Sequence, residues 1–247
     1  MGSLLFQNEA CLVINKLSGE SSESPEIKAE EKVYQGKTFP VHRIDTPVSG
    51  CLLLARTQKA AAFLGEAFSH EAKGGEANGG ESSRIIKRYW AIIEKPKTTG
   101  LAQKILPGEG ELIHWLIEDK RANKSFAFSE EELSMPGNAA RIARSTKPKK
   151  ARLRYRFSGE GDNYLFMEIE LVTGRHHQIR AQLAACSLHV KGDLKYGAKR
   201  SEKNGGIRLH AYSLAFPNPL NTEETILVKA QPPQMDPLWT AFAAAIT

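Results

Sequence analysis

The sequence predicts an α+β protein built on a largely antiparallel sheet, and three observations carry that expectation. Strand-like runs outnumber helical ones. Residues 151–157 alternate strictly, with Leu153, Tyr155 and Phe157 on one face and Arg152, Arg154 and Arg156 on the other, the period of two that a half-buried strand requires. A turn-like Gly159-Glu160-Gly161-Asp162-Asn163 then leads into a second β-rich run over 164–172, so the two runs read as a hairpin.

The remaining elements follow in chain order. Residues 12–16 read as a short strand ending at Ser18-Gly19, and 20–31, rich in Ser and Glu, as a polar loop. Residues 41–50 show neither helical nor strand period and end on Gly50, so they read as a loop feeding a buried strand over 51–55. Thr57 is placed to cap a helix over 58–69, whose apolar positions include Ala61, Phe63, Leu64 and Phe68. Residues 73–83 are Gly-rich and polar. A strand is expected over 89–93, and a helix over 176–186 with Ile179 and Leu183 four apart on one face. A turn over 217–221 precedes a last strand over 224–229, while 135–150 and 200–206 read as polar loops. No internal repeat and no heptad pattern interrupts this, so residues 1–247 are expected to form a single domain.

With 247 residues, 41% hydrophobic and 25% charged, the chain has the composition of a soluble globular protein that can bury a core without covalent staples. Its three cysteines, Cys11, Cys51 and Cys186, are scattered among apolar stretches. An odd, dispersed set argues against a disulfide framework and for a reducing compartment. The first residues lack the basic-then-apolar character of a signal peptide, and no apolar run approaches the roughly 20 residues of a spanning helix. A cytoplasmic protein with no membrane partner is the expectation, and nothing calls for more than a monomer. A net charge of +6 suits a polyanionic partner, because cations that contact phosphate release condensed counterions.

Several chemistries find no residues to carry them. There is no phosphate-binding loop ending in Gly-Lys-Ser/Thr and no dinucleotide glycine fingerprint. No cysteine pair has zinc spacing, and His176 and His177, adjacent on the expected helix, should point to different faces rather than share a metal. No serine sits in a nucleophile elbow. The expectation is chemistry with no metal, nucleotide or redox cofactor.

Four segments stand out. The first is Val41-His42-Arg43-Ile44-Asp45-Thr46-Pro47-Val48-Ser49-Gly50; the second is Lys87-Arg88-Tyr89-Trp90-Ala91. The third is Thr173-Gly174-Arg175-His176-His177-Gln178-Ile179-Arg180, and the fourth Gly192-Asp193-Leu194-Lys195-Tyr196-Gly197 followed by Leu209-His210-Ala211. Singly, each has an ordinary structural reading: a turn aspartate, core aromatics, a helix start. Together and in this order they resemble the RluA-like family of RNA pseudouridine synthases, with the likeness running over about residues 12–233. Ile44 stands where that family more often has Leu, Leu17 where it often has Pro, and Asn218 where His is frequent.

The resemblance implies the pseudouridine synthase fold, a mixed and mostly antiparallel sheet flanked by helices with a central RNA-binding cleft, here as the catalytic domain alone without the small N-terminal RNA-binding domain of some relatives. It implies isomerisation of uridine in ribosomal or transfer RNA to pseudouridine, with no cofactor. Asp45 is implied as the catalytic carboxylate, Arg43 as the side chain that refills the RNA stack, and Tyr89 as the partner of the flipped uracil. Arg175 is implied to pair with Asp45 and hold it, with Ile179 and Leu209 lining the pocket. These roles are physically coherent, because a base must leave its stack before it can turn over on its glycosidic bond. An aromatic then offers it a new stacking surface. The basic stretch 141–156 reads either as a solvated loop plus a polar strand face or as a phosphate-contacting ridge, with Lys147, Lys149 and Lys150 the candidates for choosing the RNA. A protein of this fold that binds RNA without catalysis is the alternative reading. Asp45 speaks against it, since a purely binding protein has no use for a carboxylate facing phosphate.

Overall fold

The computed structural model describes residues 2–23, 27–29, 32–33, 36–72, 84–96, 108–143, 145–202 and 205–246. Among them one mixed sheet of 14 strands carries the fold. In chain order these are β1 (Gly2–Gln7), β2 (Cys11–Lys16), β3 (Ile27–Ala29), β4 (Lys32–Val33), β5 (Phe39–Pro40), β6 (Ser49–Ala55) and β7 (Ile86–Glu94). There follow β8 (Glu109–Asp119), β9 (Lys124–Phe128), β10 (Lys149–Glu160), β11 (Tyr164–Leu171), β12 (His189–Val190), β13 (Leu209–Asn218) and β14 (Asn221–Lys229). The helices are α1 (Gln58–Ala72), α2 (Glu130–Leu133), α3 (Pro136–Ala143), α4 (Gln178–Ala185) and α5 (Pro237–Ile246). Across the sheet the order is β4-β3-β1-β2-β6-β13-β7-β11-β10-β8-β9, with β5 on β6, β14 on β13 and β12 on β7. Only β1/β3 and β6/β13 pair in parallel, so the expected α+β class with a mostly antiparallel sheet is borne out.

Burial explains why the central strands read as unbroken apolar runs. β2 and β6 are covered on both faces: Leu12, Ile14, Leu52 and Leu54 pack together on one, while Val13, Cys51 and Leu53 meet Ala60, Leu64 and Phe68 of α1 on the other. β7 divides its side chains likewise. Tyr89, Ala91 and Ile93 join Ile179 and Leu183 of α4, whereas Trp90 and Ile92 join Trp239 and Phe242 of α5. Each such fully buried large side chain stabilises the fold by about 1.5–3 kcal/mol. Helices α1 and α4 therefore cover two halves of the sheet, and both contribute to the walls of one cleft over β7 and β13.

The hairpin forms as the alternation requires, with Leu153 opposite Leu171 and Phe157 opposite Met167. Its arginine face is matched by carboxylates of the flanking strands. Arg152 bonds Glu111 at 2.6 Å, Arg154 bonds Glu170 at 3.2 Å and Arg156 bonds Glu168 at 3.1 Å, so these cations lace neighbouring strands together. Exposed pairs of this kind contribute about 0–1 kcal/mol each.

Other expectations need correction. The stretch 135–150 is not one loop: α3 fills its first half, and Lys149 and Lys150 already belong to β10. The helix expected from 176 begins at Gln178, because His177 adopts a left-handed conformation with φ 53°. The turn near 217–221 is tighter than expected, since β13 continues to Asn218 and β14 starts at Asn221. Helix α5 was not expected, although Asp236 caps it by accepting from the Trp239 N–H at 3.1 Å and Pro237 occupies its first position, a signal the sequence does carry. The excursion over 73–83 lies outside the described residues, as do parts of 20–31 and 200–206. Within the described residues no helix is long and apolar enough to cross a membrane, and the three cysteines are free and buried.

The parallel contact between β6 and β13 depends on Gly50. Its φ is +117°, and a Cβ there would lie 2.6 Å from the Ala211 amide nitrogen and closer still to the Ala211 carbonyl oxygen. Beside it, Ser49 Oγ meets His210 Nδ1 at 2.9 Å, and His210 Nε2 meets the Ala230 carbonyl at 3.0 Å. The Ser-Gly and Leu-His-Ala motifs are thus two sides of one close strand crossing. Gly50→Ala should lower stability by about 2–5 kcal/mol through backbone strain and overpacking. A urea denaturation midpoint equal to wild type would contradict this.

Candidate active site

The Asp45 loop, residues 41–48, is fastened to the scaffold at alternate positions. His42 Nε2 accepts the Leu53 N–H at 2.9 Å, and its ring stacks on Phe68 at 4.5 Å. Burial, helped by the nearby Lys87 charge, lowers its pKa to about 3 and keeps it the neutral acceptor this bond needs. The Ile44 N–H donates to Ser22 Oγ at 3.1 Å, and the Ser22 hydroxyl donates back to the Ile44 carbonyl at 2.7 Å. The Thr46 carbonyl accepts from the Gly19 N–H at 2.8 Å and from Lys16 Nζ at 3.3 Å. Lys16 is fully buried and also donates to the carbonyls of Leu17 and Glu20 at 2.9 and 3.0 Å. Burial lowers its pKa to about 8 against the opposing pull of Glu20 and Asp45. Positions 42, 44 and 46 thereby hold the chain, while Arg43 and Asp45 are turned towards the cleft.

Asp45 is held by Arg180, not by Arg175. Arg180 Nη1 donates to Asp45 Oδ2 at 3.0 Å, while its Nε and Nη2 make a two-pronged pair with Asp193 at 2.6 and 2.9 Å. Burial alone would lower the pKa of Arg180, but its bonds to Asp193, together with the charges of Asp193 and Asp45, outweigh that and raise it. The guanidinium lies over the Tyr196 ring at 4.8 Å. Tyr196 Oη accepts the Ser125 N–H at 2.9 Å and meets His177 Nδ1 at 3.0 Å. Tyr196 Oη also donates to the Ser125 carbonyl at 3.1 Å, and His177 Nε2 lies 3.8 Å from Asp45 Oδ2. Burial and the Arg180 charge lower the His177 pKa to about 2, and the ring stays neutral.

Arg175 belongs to the turn that precedes α4. Its N–H and the Thr173 hydroxyl both donate to Gln178 Oε1, at 3.0 and 2.8 Å, and its Nε donates to the Lys150 carbonyl at 3.1 Å. The Thr-Gly-Arg-x-x-Gln spacing is the closure of this turn. Because His176 and His177 both precede the helix, their rings do not diverge as expected; they stack at 3.8 Å. Among the described residues no three His, Cys, Asp or Glu side chains are grouped to hold a metal.

These elements enclose a cleft cavity of about 400 Å³. It brings together Asp45, Arg43, Tyr89, Arg175, Ile179 and Leu209, the whole of the expected pocket set. Tyr89, Ile179 and Leu209 are almost completely buried and give an apolar wall opposite the carboxylate. Arg43 is exposed at the mouth. Lys147, Lys149 and Lys150 lie outside the cavity and exposed, with Lys150 tied by its backbone to Arg175. Arg180, Asp193 and Lys16 were not singled out for the site from sequence.

The family model for RNA pseudouridylate synthases matches residues 10–185. The chain belongs to this family. An uncharacterised RNA pseudouridine synthase of Zymomonas mobilis is 29% identical over 221 residues, covering 85% of each chain. The tRNA pseudouridine synthase C of Haemophilus ducreyi is 26% identical over 258 residues, covering 97% of this chain and 95% of its own. Among solved structures, human RNA pseudouridylate synthase domain containing 1 superposes with a TM-score of 0.65 at 19% identity, over 99% of this chain and 87% of that one, which shows the shared fold. The RluA-like resemblance is therefore borne out, and the protein is an isomerase of the pseudouridine synthase type.

Within the synthase, Asp193 is the group that fixes the orientation of Arg180. Asp193→Asn should cost about 3–5 kcal/mol of stability by breaking a buried pair. It should also lower kcat at least tenfold, because the freed guanidinium no longer presents Asp45. Wild-type kcat in the folded variant would show that Arg180 is oriented without Asp193.

Proposed function

We propose that the synthase isomerises a uridine of structured RNA, with Asp45 as the catalytic carboxylate. The observation that carries this reading is the placement of Asp45: fixed by Arg180, it faces the apolar wall of Tyr89, Ile179 and Leu209 across a cavity able to hold one base. The target nucleotide leaves its stack, at a cost of a few kcal/mol, and Arg43 enters the vacancy. Arg43 suits that task, being exposed and without an ion pair among the described residues. Tyr89 lies against the extruded ring. The bond between N1 and C1′ breaks, the uracil rotates and C5 bonds to C1′; the proton on C5 is then released to solvent and N1 takes one up. Asp45 serves this sequence as base or nucleophile, and because the overall composition is unchanged no redox or group-transfer partner is required.

The names of the relatives favour tRNA over rRNA as the first substrate to examine. Lys147, Lys149 and Lys150 are proposed to contact phosphate along the rim, which fits their exposure and, among the described residues, their freedom from carboxylate partners. We assign the reaction to a single-domain monomer in the cytoplasm, in keeping with three free, buried cysteines.

Tritium release from RNA labelled at uracil C5 tests the reading. The wild type should release tritium from unmodified tRNA or rRNA, and Asp45→Asn should be slower by about 10²–10⁴-fold or more. No release from either pool by a wild type that binds both, or undiminished release by the variant, would overturn it.

A further inference from the structure

We infer that a second cavity, on the far side of Asp45, is a subsite for an RNA phosphodiester next to the flipped nucleotide, with Lys195 as its principal cation. The inference rests on the synthase reading above. This cavity, of about 410 Å³, shares Arg43, Ile44, Asp45, His177 and Arg180 with the cleft cavity. Its other walls differ in character: where the cleft has Tyr89, Ile179 and Leu209, the second cavity has Ser21, Thr46, Asn123 and Lys195. The Asp45–Arg180 pair thus lies on a partition between an apolar space and a polar one. A nucleotide divides in the same way, into a flat apolar base and a polar, anionic sugar-phosphate. With C1′ beside Asp45 and the base against Tyr89, a neighbouring phosphodiester is led into the polar space.

Lys195 is built to meet it. The side chain is exposed, and its Nζ donates to the Asn123 carbonyl at 3.0 Å, while Lys124 Nζ donates to the Lys195 carbonyl at 2.6 Å. These reciprocal bonds pin the turn 194–196 to the turn joining β8 and β9. The Lys195 ammonium has no carboxylate partner among the described residues, in contrast to Arg152, Arg154 and Arg156, whose charges are taken up by glutamates. Its charge is felt at His177, beside Asp45. The Ser22 hydroxyl is already occupied by Ile44, and Glu23, which also lines the space, steers an anion to the Lys195–Arg43 side.

The test is filter binding of an unmodified tRNA transcript pool across a KCl series, in the Asp45→Asn background so that binding is read without turnover, beside tritium release with Asp45 intact. Lys195→Ala should weaken binding about five- to tenfold at moderate salt and reduce the slope of log K against log[KCl] by about 0.7–0.9, the loss of one phosphate contact. Lys195→Arg should restore the slope. In turnover the loss should appear in KM more than in kcat. Lys199→Ala, an exposed lysine outside both cavities, should not reproduce the effect. If the wild type releases tritium while Lys195→Ala keeps the full slope and KM, the subsite is wrong and the synthase reading stands. If the slope falls but the wild type releases no tritium, the subsite stands as an RNA contact and the catalytic reading falls. Salt-independent binding in the Asp45→Asn protein would overturn the subsite.

Discussion

A buried guanidinium between two carboxylates is the constraint around which this molecule is arranged. Taking Arg180 out of water costs several kcal/mol, and only well-aimed counter-charges offset that. Asp193 supplies a two-pronged bond and Asp45 a single one. The pairing forces three distant pieces of chain to one point: the loop before β6, the first turn of α4, and the Gly-Asp-x-x-Tyr-Gly turn. The inequality of the two bonds has a chemical meaning. Asp193 uses both oxygens on Arg180 and is 2% exposed, whereas Asp45 keeps an oxygen free towards the cavities and retains 19% side-chain exposure. One carboxylate is fully engaged by the guanidinium, and the other is the one proposed to react.

The surroundings keep that arrangement from being diluted by other charges. His177 and His210 are buried and His42 half-buried, and desolvation lowers the pKa values of His42, His177 and His210 to about 3, 2 and 4. Each serves as a neutral hydrogen-bonding ring rather than a competing cation. On the sheet face the arginines of β10 are matched by glutamates, so the net positive charge is not spread evenly. Lys195, which lines the second cavity, and Lys149 and Lys150 at the start of β10 are among the exposed lysines without a carboxylate partner among the described residues. Under the proposed reading, such a division would let the ion pairs of the sheet stay intact while RNA phosphates meet cations that no carboxylate neutralises.

Much of this was legible in the sequence, and the exceptions have physical causes. Strict alternation gave the β10/β11 hairpin, and the apolar run 51–55 gave the buried strand β6. Asp45, Tyr89, Ile179 and Leu209 were expected around one pocket from the ordered motifs, and the cleft brings these four side chains together. The holding arginine was misassigned because two arginines lie five residues apart across a helix start, and the direction of each depends on where the helix begins. The left-handed His177 delays that start to Gln178, which leaves Arg175 in the turn and points Arg180 inward. The aspartate in Gly-Asp-x-x-Tyr-Gly was a usable hint, since a buried acid needs a cation. Helix α5 was not expected although Asp236-Pro237 marks its start, because its residues are apolar nearly all round and show no separate polar face. The strands β8 and β9 carry too little alternation against their charged residues to stand out.

The measurement that bears most directly on this account is the single-turnover rate of isomerisation for Arg180→Lys beside Arg175→Lys, each with RNA saturating. A lysine at 180 cannot hold both carboxylates in the geometry of the guanidinium, so the account predicts a fall of about a hundredfold or more, with RNA affinity much less affected. Arg175→Lys should change the rate far less and act mainly on affinity. The reverse order, with Arg175 controlling the chemical step and Arg180 dispensable, would contradict the claim that the Asp193–Arg180–Asp45 chain presents the reacting carboxylate.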